Sequence, residues 1–269
     1  MPHSLIRHLE QFGPLSEAEK QALARAATRV RVFGPDEDLV SDGDHPTDCK
    51  LILSGFACTY KLLPDGRRQI LSFQIPGDIC DLHGFFLGAM DHAVGTLTQG
   101  SVAIIPHEVL LDLTDTYPRI ARALSQSTLV DGAIFREWMV GMGRRSAHAR
   151  IAHLLCEMGL RLQAVGLAQD GSYDLPVTQA ELADAFGLTG VHVNRTLQQL
   201  RREGLITLRG RTVTVHDWDC LMRAGGFDPG YLHVGRGSDV DGHPRRLVRQ
   251  PEPKPALSFG LSQERAASL

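Results

Sequence analysis

The sequence predicts an α+β chain in three parts: an antiparallel β barrel or jelly roll, a long helix, and a winged helix-turn-helix. Three observations predict it. Short β-prone runs broken by turn residues fill positions 29–106, and a proline-free stretch with helical apolar spacing follows at 118–142. Residues 178–215 then carry the spacing of a helix-turn-helix with a wing.

Composition bounds the reading. The chain has 269 residues, 43% hydrophobic and 22% charged, which excludes whole-chain disorder and leaves room for one large domain or two ordinary ones. No apolar run approaches the ~20 residues of a membrane span. The opening MPHSLIRHLEQFGPLSEAEK lacks the apolar core of a secretory signal. Both features lead us to expect a cytoplasmic protein with no membrane partner. The cysteines Cys49, Cys58, Cys80, Cys156 and Cys220 show no CxxC or Cys/His zinc spacing, so buried reduced thiols and no metal site are expected. No Ser/His/Asp order and no phosphate loop points to catalysis, so no catalytic residue is assigned and the chain is not expected to be an enzyme.

Charge is distributed unevenly. The net charge is −3, yet residues 1–143 carry 12 basic and 18 acidic side chains, while 144–216 carry 9 and 6. From Gly190 to Val215, Arg195, Arg201, Arg202, Arg209 and Arg211 face the single acid Glu203. A basic head on an acidic body fits an anionic partner held at one end.

Along the chain, residues 4–28 have helical spacing through Leu5, Leu9, Phe12, Leu15 and Leu23. Strand-like runs follow at 29–33, 51–60, 70–75 and 95–105, punctuated by Gly43, Gly55, Asp65-Gly66 and Pro76-Gly77. Over 118–142 Ile120, Leu124, Thr128, Phe135, Trp138 and Met142 recur at helical intervals. A face bearing Phe and Trp needs cover, either a second copy of the chain or its own barrel. A second helix is expected from Arg144 to about Val165, after a break at Gly141-Met142-Gly143. The Gly-, Pro- and charge-rich stretch from Gly235 reads as a disordered tail. The expected divisions are therefore 1–116 (barrel with its N-terminal helix), 117–143 (long helix), 144–234 (winged helix-turn-helix) and 235–269 (tail).

The stretch from Thr178 to Val215 carries the function. Thr178 with Glu181 three residues on is a capping box that starts a helix. Leu182 and Phe186 form its apolar face, Ala183 is small where a helix must come close, and Gly187 suits the left-handed residue that ends it. Thr189 caps a second helix with Val193, Thr196, Leu197 and Leu200 facing inward. Strands at 205–208 and 212–215 flank Arg209-Gly210-Arg211, the tip of a wing. A purely structural helical hairpin is the alternative. Against it, the second helix offers solvent Thr189, Gly190, Val191, His192, Asn194 and Arg195, with Arg201 and Arg202 behind. Arg suits O6 and N7 of guanine, Asn an adenine edge, and Val a thymine methyl. The candidate DNA-binding residues are thus Thr178, Thr189, Gly190, Val191, His192, Asn194, Arg195, Arg201, Arg209 and Arg211.

With these motifs in this order, the chain resembles bacterial transcription regulators of the Crp/Fnr family over about residues 4–232. The resemblance rests on the SDGD, LSGF, PDGR and IPGD turns around Gly43, Gly55, Gly66 and Gly77, the long helix, and the winged helix. It implies a cyclic-nucleotide-binding-like jelly roll and a homodimer through residues 118–142. It also implies a palindromic double-stranded DNA site read by two helices about 34 Å apart, and RNA polymerase as a further partner. The family's cyclic-nucleotide binders follow PGD with Gly-Glu and later Arg-Ser or Arg-Thr. Here Asp81-Leu82 and His92-Ala93 stand in those places, which argues against cyclic AMP. No cysteine precedes Cys49, which argues against the family's iron–sulfur cluster. Asp81, His83 and His92 are the candidate effector-pocket residues, and the two histidines are candidate axial ligands for a haem. The alternative function is a haem- or redox-sensing module whose DNA binding depends on that signal.

Overall fold

The computed structural model describes residues 3–234, so the expected tail at 235–269 lies outside the described residues. The helical segment expected over 4–28 is two helices, α1 (His3–Glu10) and α2 (Glu17–Ala26). Gly13-Pro14 interrupts it, and Ser16 starts α2 with a capping box closed by Glu19.

Seven strands follow: β1 (Arg29–Phe33), β2 (Asp38–Val40), β3 (Asp48–Ser54), β4 (Ala57–Leu62), β5 (Arg68–Gln74), β6 (Ala93–Thr96) and β7 (Gly100–Pro106). They pair antiparallel in two sheets, β1-β7-β3 and β2-β6-β4-β5, which face each other as a jelly roll. The runs expected at 51–60 and 95–105 each divide into two strands. Their turns lie against one another: a Cβ on Gly55 (φ +83°) would meet the Gln99 carbonyl at 2.7 Å. Two short helices, α3 (Leu82–Leu87) and α4 (His107–Thr116), complete the domain.

Strand alternation sorts the side chains into two cores. Ile52, Val102 and Ile104 turn inward onto Val40, Ala57 and Val94 of the opposite sheet. Cys49, Leu51, Ala103 and Ile105 turn outward beneath Leu5, Leu9, Leu23 and Leu110 of α1, α2 and α4.

Helix α5 (Pro118–Arg144) runs 27 residues, about 40 Å, straight through Gly141 and Gly143. The expected break at those glycines is instead at Arg145-Ser146, where Ser146 caps α6 (Ala147–Ala164) by accepting from the Ala149 N–H. The single apolar stripe expected on α5 also resolves into two faces. Ile120, Leu124, Ile134 and Trp138 are buried against the chain itself, whereas Leu129 and Met139 are 69% and 73% exposed.

The second domain comprises α6, β8 (Ala168–Gln169), β9 (Ser172–Asp174), α7 (Gln179–Phe186), α8 (Gly190–Arg202), β10 (Ile206–Arg209), β11 (Thr212–Val215) and α9 (Trp218–Gly225), closed by a 3-10 turn at Pro229–Leu232. Its sheet runs β10-β11-β9-β8. The core of this domain, including Leu155, Met158, Phe186, Val193 and Leu221, continues without interruption through Trp138 to Ile70 and Phe73 of β5.

Beside that apolar joint lies a cleft lined by His8, Asp78, Asp131 and Arg161. Burial, with the nearby Asp78 charge adding to it and Arg161 opposing it, pushes Asp131 up to about 7. A carboxyl with a raised folded-state pKa binds its proton more tightly folded than unfolded, so stability falls as pH rises from about 4 to about 7. Asp131→Asn should remove that fall. We expect it to match the parent in urea unfolding at pH 4 and to exceed it by on the order of 1–2 kcal/mol at pH 8. Equal differences at the two pH values would show that Asp131 does not titrate in this range.

Candidate nucleic-acid interface

Two local signals build the helix-turn-helix. Thr178 caps α7, its hydroxyl accepting from the Glu181 N–H and the Glu181 carboxylate accepting from the Thr178 N–H. Gly187 then ends the helix at φ +60°, ψ 40°, a conformation that costs a side-chain-bearing residue about 1 kcal/mol. Thr189 caps α8 by accepting from the His192 N–H at 3.3 Å. Val193, Thr196, Leu197 and Leu200 are buried beneath it, as their spacing predicts.

The opposite face of α8 is open. Val191 is 72% exposed, and Thr189, Gly190, His192, Asn194, Arg195 and Arg201 are all exposed around it. Gln198 stands on this face, seven residues after Val191 and three after Arg195. Sequence reasoning passed over it, although the helical interval was there to be counted. Arg209 and Arg211 are exposed at the hairpin between β10 and β11. Glu203, the lone acid of the stretch, is held by His148 at 2.8 Å and Gln199 at 2.9 Å and leaves these arginines to solvent. Thr178 is exposed at the start of α7, but its hydroxyl is already engaged by the cap. The array offers cations, an amide and an apolar patch on one convex helix, a surface suited to a groove lined by base edges and phosphates.

The barrel residues fall in two places. Asp81 is fully buried, accepting from the Lys50 N–H at 2.7 Å and pairing with the Lys50 ammonium at 3.0 Å. Burial pushes its carboxyl up in pKa against the pull of that ammonium. His83 and His92 do come together, their rings edge to face at 5.4 Å. His92 Nδ1 contacts the Asp91 carboxylate at 2.6 Å, while its buried Nε2 has no partner among the described residues. Asp81 is therefore engaged with β3 rather than with the histidine pair.

On the inward face of β3, Lys50 is held by Asp48 and Asp81, and across the barrel Thr59, Ser72 and Gln74 bond to one another. Apolar side chains, among them Phe33, Met90 and Cys80, fill the space between the sheets. Cys49, Cys58, Cys80 and Cys156 are buried, and Cys220 is partly so. Burial pushes the Cys58 thiol up to about 12 and the other three higher, the reverse of what a thiolate ligand needs. Among the described residues no three His, Cys, Asp or Glu side chains gather as a metal site, and no helix is long and apolar enough to cross a membrane.

A jelly roll joined by a long helix to a winged helix-turn-helix with an open, basic second helix defines a DNA-binding transcription regulator. Comparison with known proteins agrees. Residues 30–117 match the cyclic nucleotide-binding domain, and residues 149–224 match the Crp-like helix-turn-helix domain. The nitrogen fixation regulation protein FixK of Bradyrhizobium diazoefficiens is 34% identical over 205 residues, covering 76% of this chain and 84% of that one. The transcriptional activatory protein AadR of Rhodopseudomonas palustris is 31% identical over 227 residues, covering 82% and 92%. The structure of FixK2 from Bradyrhizobium japonicum superposes with a TM-score of 0.65 at 28% identity, over 73% of this chain and 96% of that one. The chain belongs to the Crp/Fnr family of bacterial transcription regulators.

Proposed function

We propose that this chain is a sequence-specific regulator that binds palindromic double-stranded DNA as a homodimer, in the cytoplasm and without catalytic activity. Residues 1–116 serve as sensor domain, 117–143 as dimerisation helix and 144–234 as DNA-binding domain. The observation that carries the reading is the exposed face of α8, where Val191, Asn194 and Arg195 stand free of intramolecular partners large enough to cover them. These three read base edges. Thr178, Thr189, Gly190 and His192 frame the approach, and Arg201, Arg209 and Arg211 neutralise phosphates. RNA polymerase is the partner that the family build supplies.

Selection of random duplex DNA by the purified chain at near-physiological salt tests this. An inverted-repeat consensus is the expected result, and recovery of unenriched sequence would overturn it.

The second copy docks along α5. Thr128, Gly132, Phe135, Met139 and Met142 recur at alternating four- and three-residue intervals, the period of two supercoiled helices, and Leu129 flanks them. Met139→Glu would bury a charge at that seam. It is expected to raise the dimer dissociation constant by at least about tenfold in sedimentation velocity. An unchanged dimer would place the interface elsewhere.

The barrel does not fit a cyclic nucleotide. His92-Ala93 stand where the family's Arg-Ser would grip the phosphate, Asp81-Leu82 replace its Gly-Glu pair, and the nearby Lys50 is already neutralised by Asp48 and Asp81. The buried, strongly protonated thiols likewise do not suit an iron–sulfur cluster. A second reading rests on the His83–His92 pair with its orphaned Nε2, which offers an imidazole to a haem iron. A Soret band in the purified protein that is lost in His92→Ala would establish it, and a colourless protein unable to take up haem would remove it.

A further inference from the structure

The joint between the barrel and the second domain holds a connected set of buried polar groups that DNA contact does not use. Arg161, near the end of α6, donates through Nη2 to the Phe73 carbonyl at 3.0 Å and to Asp78 Oδ2 at 2.9 Å, both in the barrel. Its Nη1 lies 3.5 Å from Glu157 Oε1 on its own helix. The Asp78 carboxylate is itself fixed by the Ile75 N–H at 2.9 Å, across the Pro76-Gly77 turn. His8 Nδ1 lies 3.6 Å from the other Asp78 oxygen, and His8 Nε2 reaches Ser127 of α5 at 2.9 Å. Beyond Arg161, Glu157 is fully buried and accepts from Trp138 Nε1 and the Tyr231 hydroxyl, which in turn meets His153.

An ion pair this deep adds little net stability, because desolvation offsets most of the attraction. What it adds is direction. The apolar contact of Trp138 with Phe73 tolerates sliding, whereas a guanidinium shared between a carbonyl and a fixed carboxylate accepts one arrangement. Two other polar ties join barrel and head: Gln69 Nε2 donates to the Ala185 carbonyl at 3.1 Å, a neutral bond without an ion pair's charge, and the second is a surface pair. Arg68 meets Asp184 of α7 at 3.1 Å, but both side chains are about a third exposed and exchange readily with water.

We propose that Arg161 and Asp78 are positioning residues for DNA binding: their ion pair sets the angle of the head on its own barrel and hence the direction in which α8 points. The inference rests on the DNA-binding function proposed above. With the pair intact, two heads of a dimer meet successive grooves without first being ordered. With it broken, each head swings about the Arg145-Ser146 joint, and that freedom is lost on binding.

The test uses the full chain, the selected inverted repeat and a duplex carrying one half-site. Asp78→Asn keeps the shape of the turn and should weaken binding to the inverted repeat about tenfold, with the half-site affinity held within about twofold. Arg161→Gln should do the same, and the double variant should be no worse than either single one. Equal losses on both duplexes, additive losses, or no loss would overturn the proposal. Hydrogen exchange separates its failure from that of the DNA reading. In Asp78→Asn, amides of 73–79 and 158–165 should exchange faster while β3 and β7 stay protected. Unchanged exchange, or a rise throughout the barrel, would overturn the clasp whether or not the parent selects DNA.

Discussion

Arg195→Ala is expected to cost about 1–3 kcal/mol at each half-site and to relax specificity at a single base pair. The side chain sits in the second turn of α8, on the exposed face, with the Glu203 carboxylate already engaged elsewhere. It is thus free to reach a guanine edge bidentately, and alanine would leave O6 and N7 of that base without a donor. Two heads acting together double the loss on a palindrome to about 2–6 kcal/mol, so dimer affinity should fall at least about thirtyfold and up to about ten-thousandfold. Arg209→Ala should behave differently, weakening selected and random DNA alike and lowering the salt slope by about one per head. Competition titrations against randomised positions distinguish the two patterns. If Arg195→Ala loses equal affinity on every sequence, its role is phosphate neutralisation and base reading falls to Asn194 and Val191.

The helix-turn-helix was legible in the sequence because its signals are local. Thr178 with Glu181, Gly187, and Thr189 each fix a helix end within three residues, and all stand in the structure where their spacing placed them. The barrel was legible as turn-punctuated strands. Its finer division was not, since the turn at Gly55 is set by the backbone of Gln99 and Gly100, which no local window contains. β8 and β9, two and three residues long, fall below any periodic signal. The glycines at 141 and 143 suggested a break that the helix does not take. There the break belongs to Ser146, a better cap three residues further on. At the candidate effector site, the sequence grouped Asp81 with the histidines by proximity. The partner that claims Asp81 is Lys50, 31 positions away across a β-sheet. Arg161 and Asp78, 83 apart, were invisible for the same reason.

Trp138 is the second site where a large effect is expected, because three parts of the molecule meet on one side chain. Its ring lies 5.6 Å from Phe73 of the barrel and 5.4 Å from Phe186 of α7, and its Nε1 donates to the buried Glu157. It is only 6% exposed. Trp138→Ala should cost about 3–5 kcal/mol, from lost transfer and the cavity left between packed domains. Trp138→Phe keeps most of the ring contact but removes one of the two hydrogen bonds to Glu157 Oε2, leaving that of Tyr231, and should cost about 1–3 kcal/mol. Loss of the shared core also predicts a change in kind. The continuous apolar cluster makes barrel and head unfold together, whereas the alanine variant should unfold in two steps, the head first. Calorimetry would show this as a single peak dividing in two. A single peak merely shifted to lower temperature would mean that β5 and α7, tied through Gln69 to the Ala185 carbonyl, couple the domains without the tryptophan.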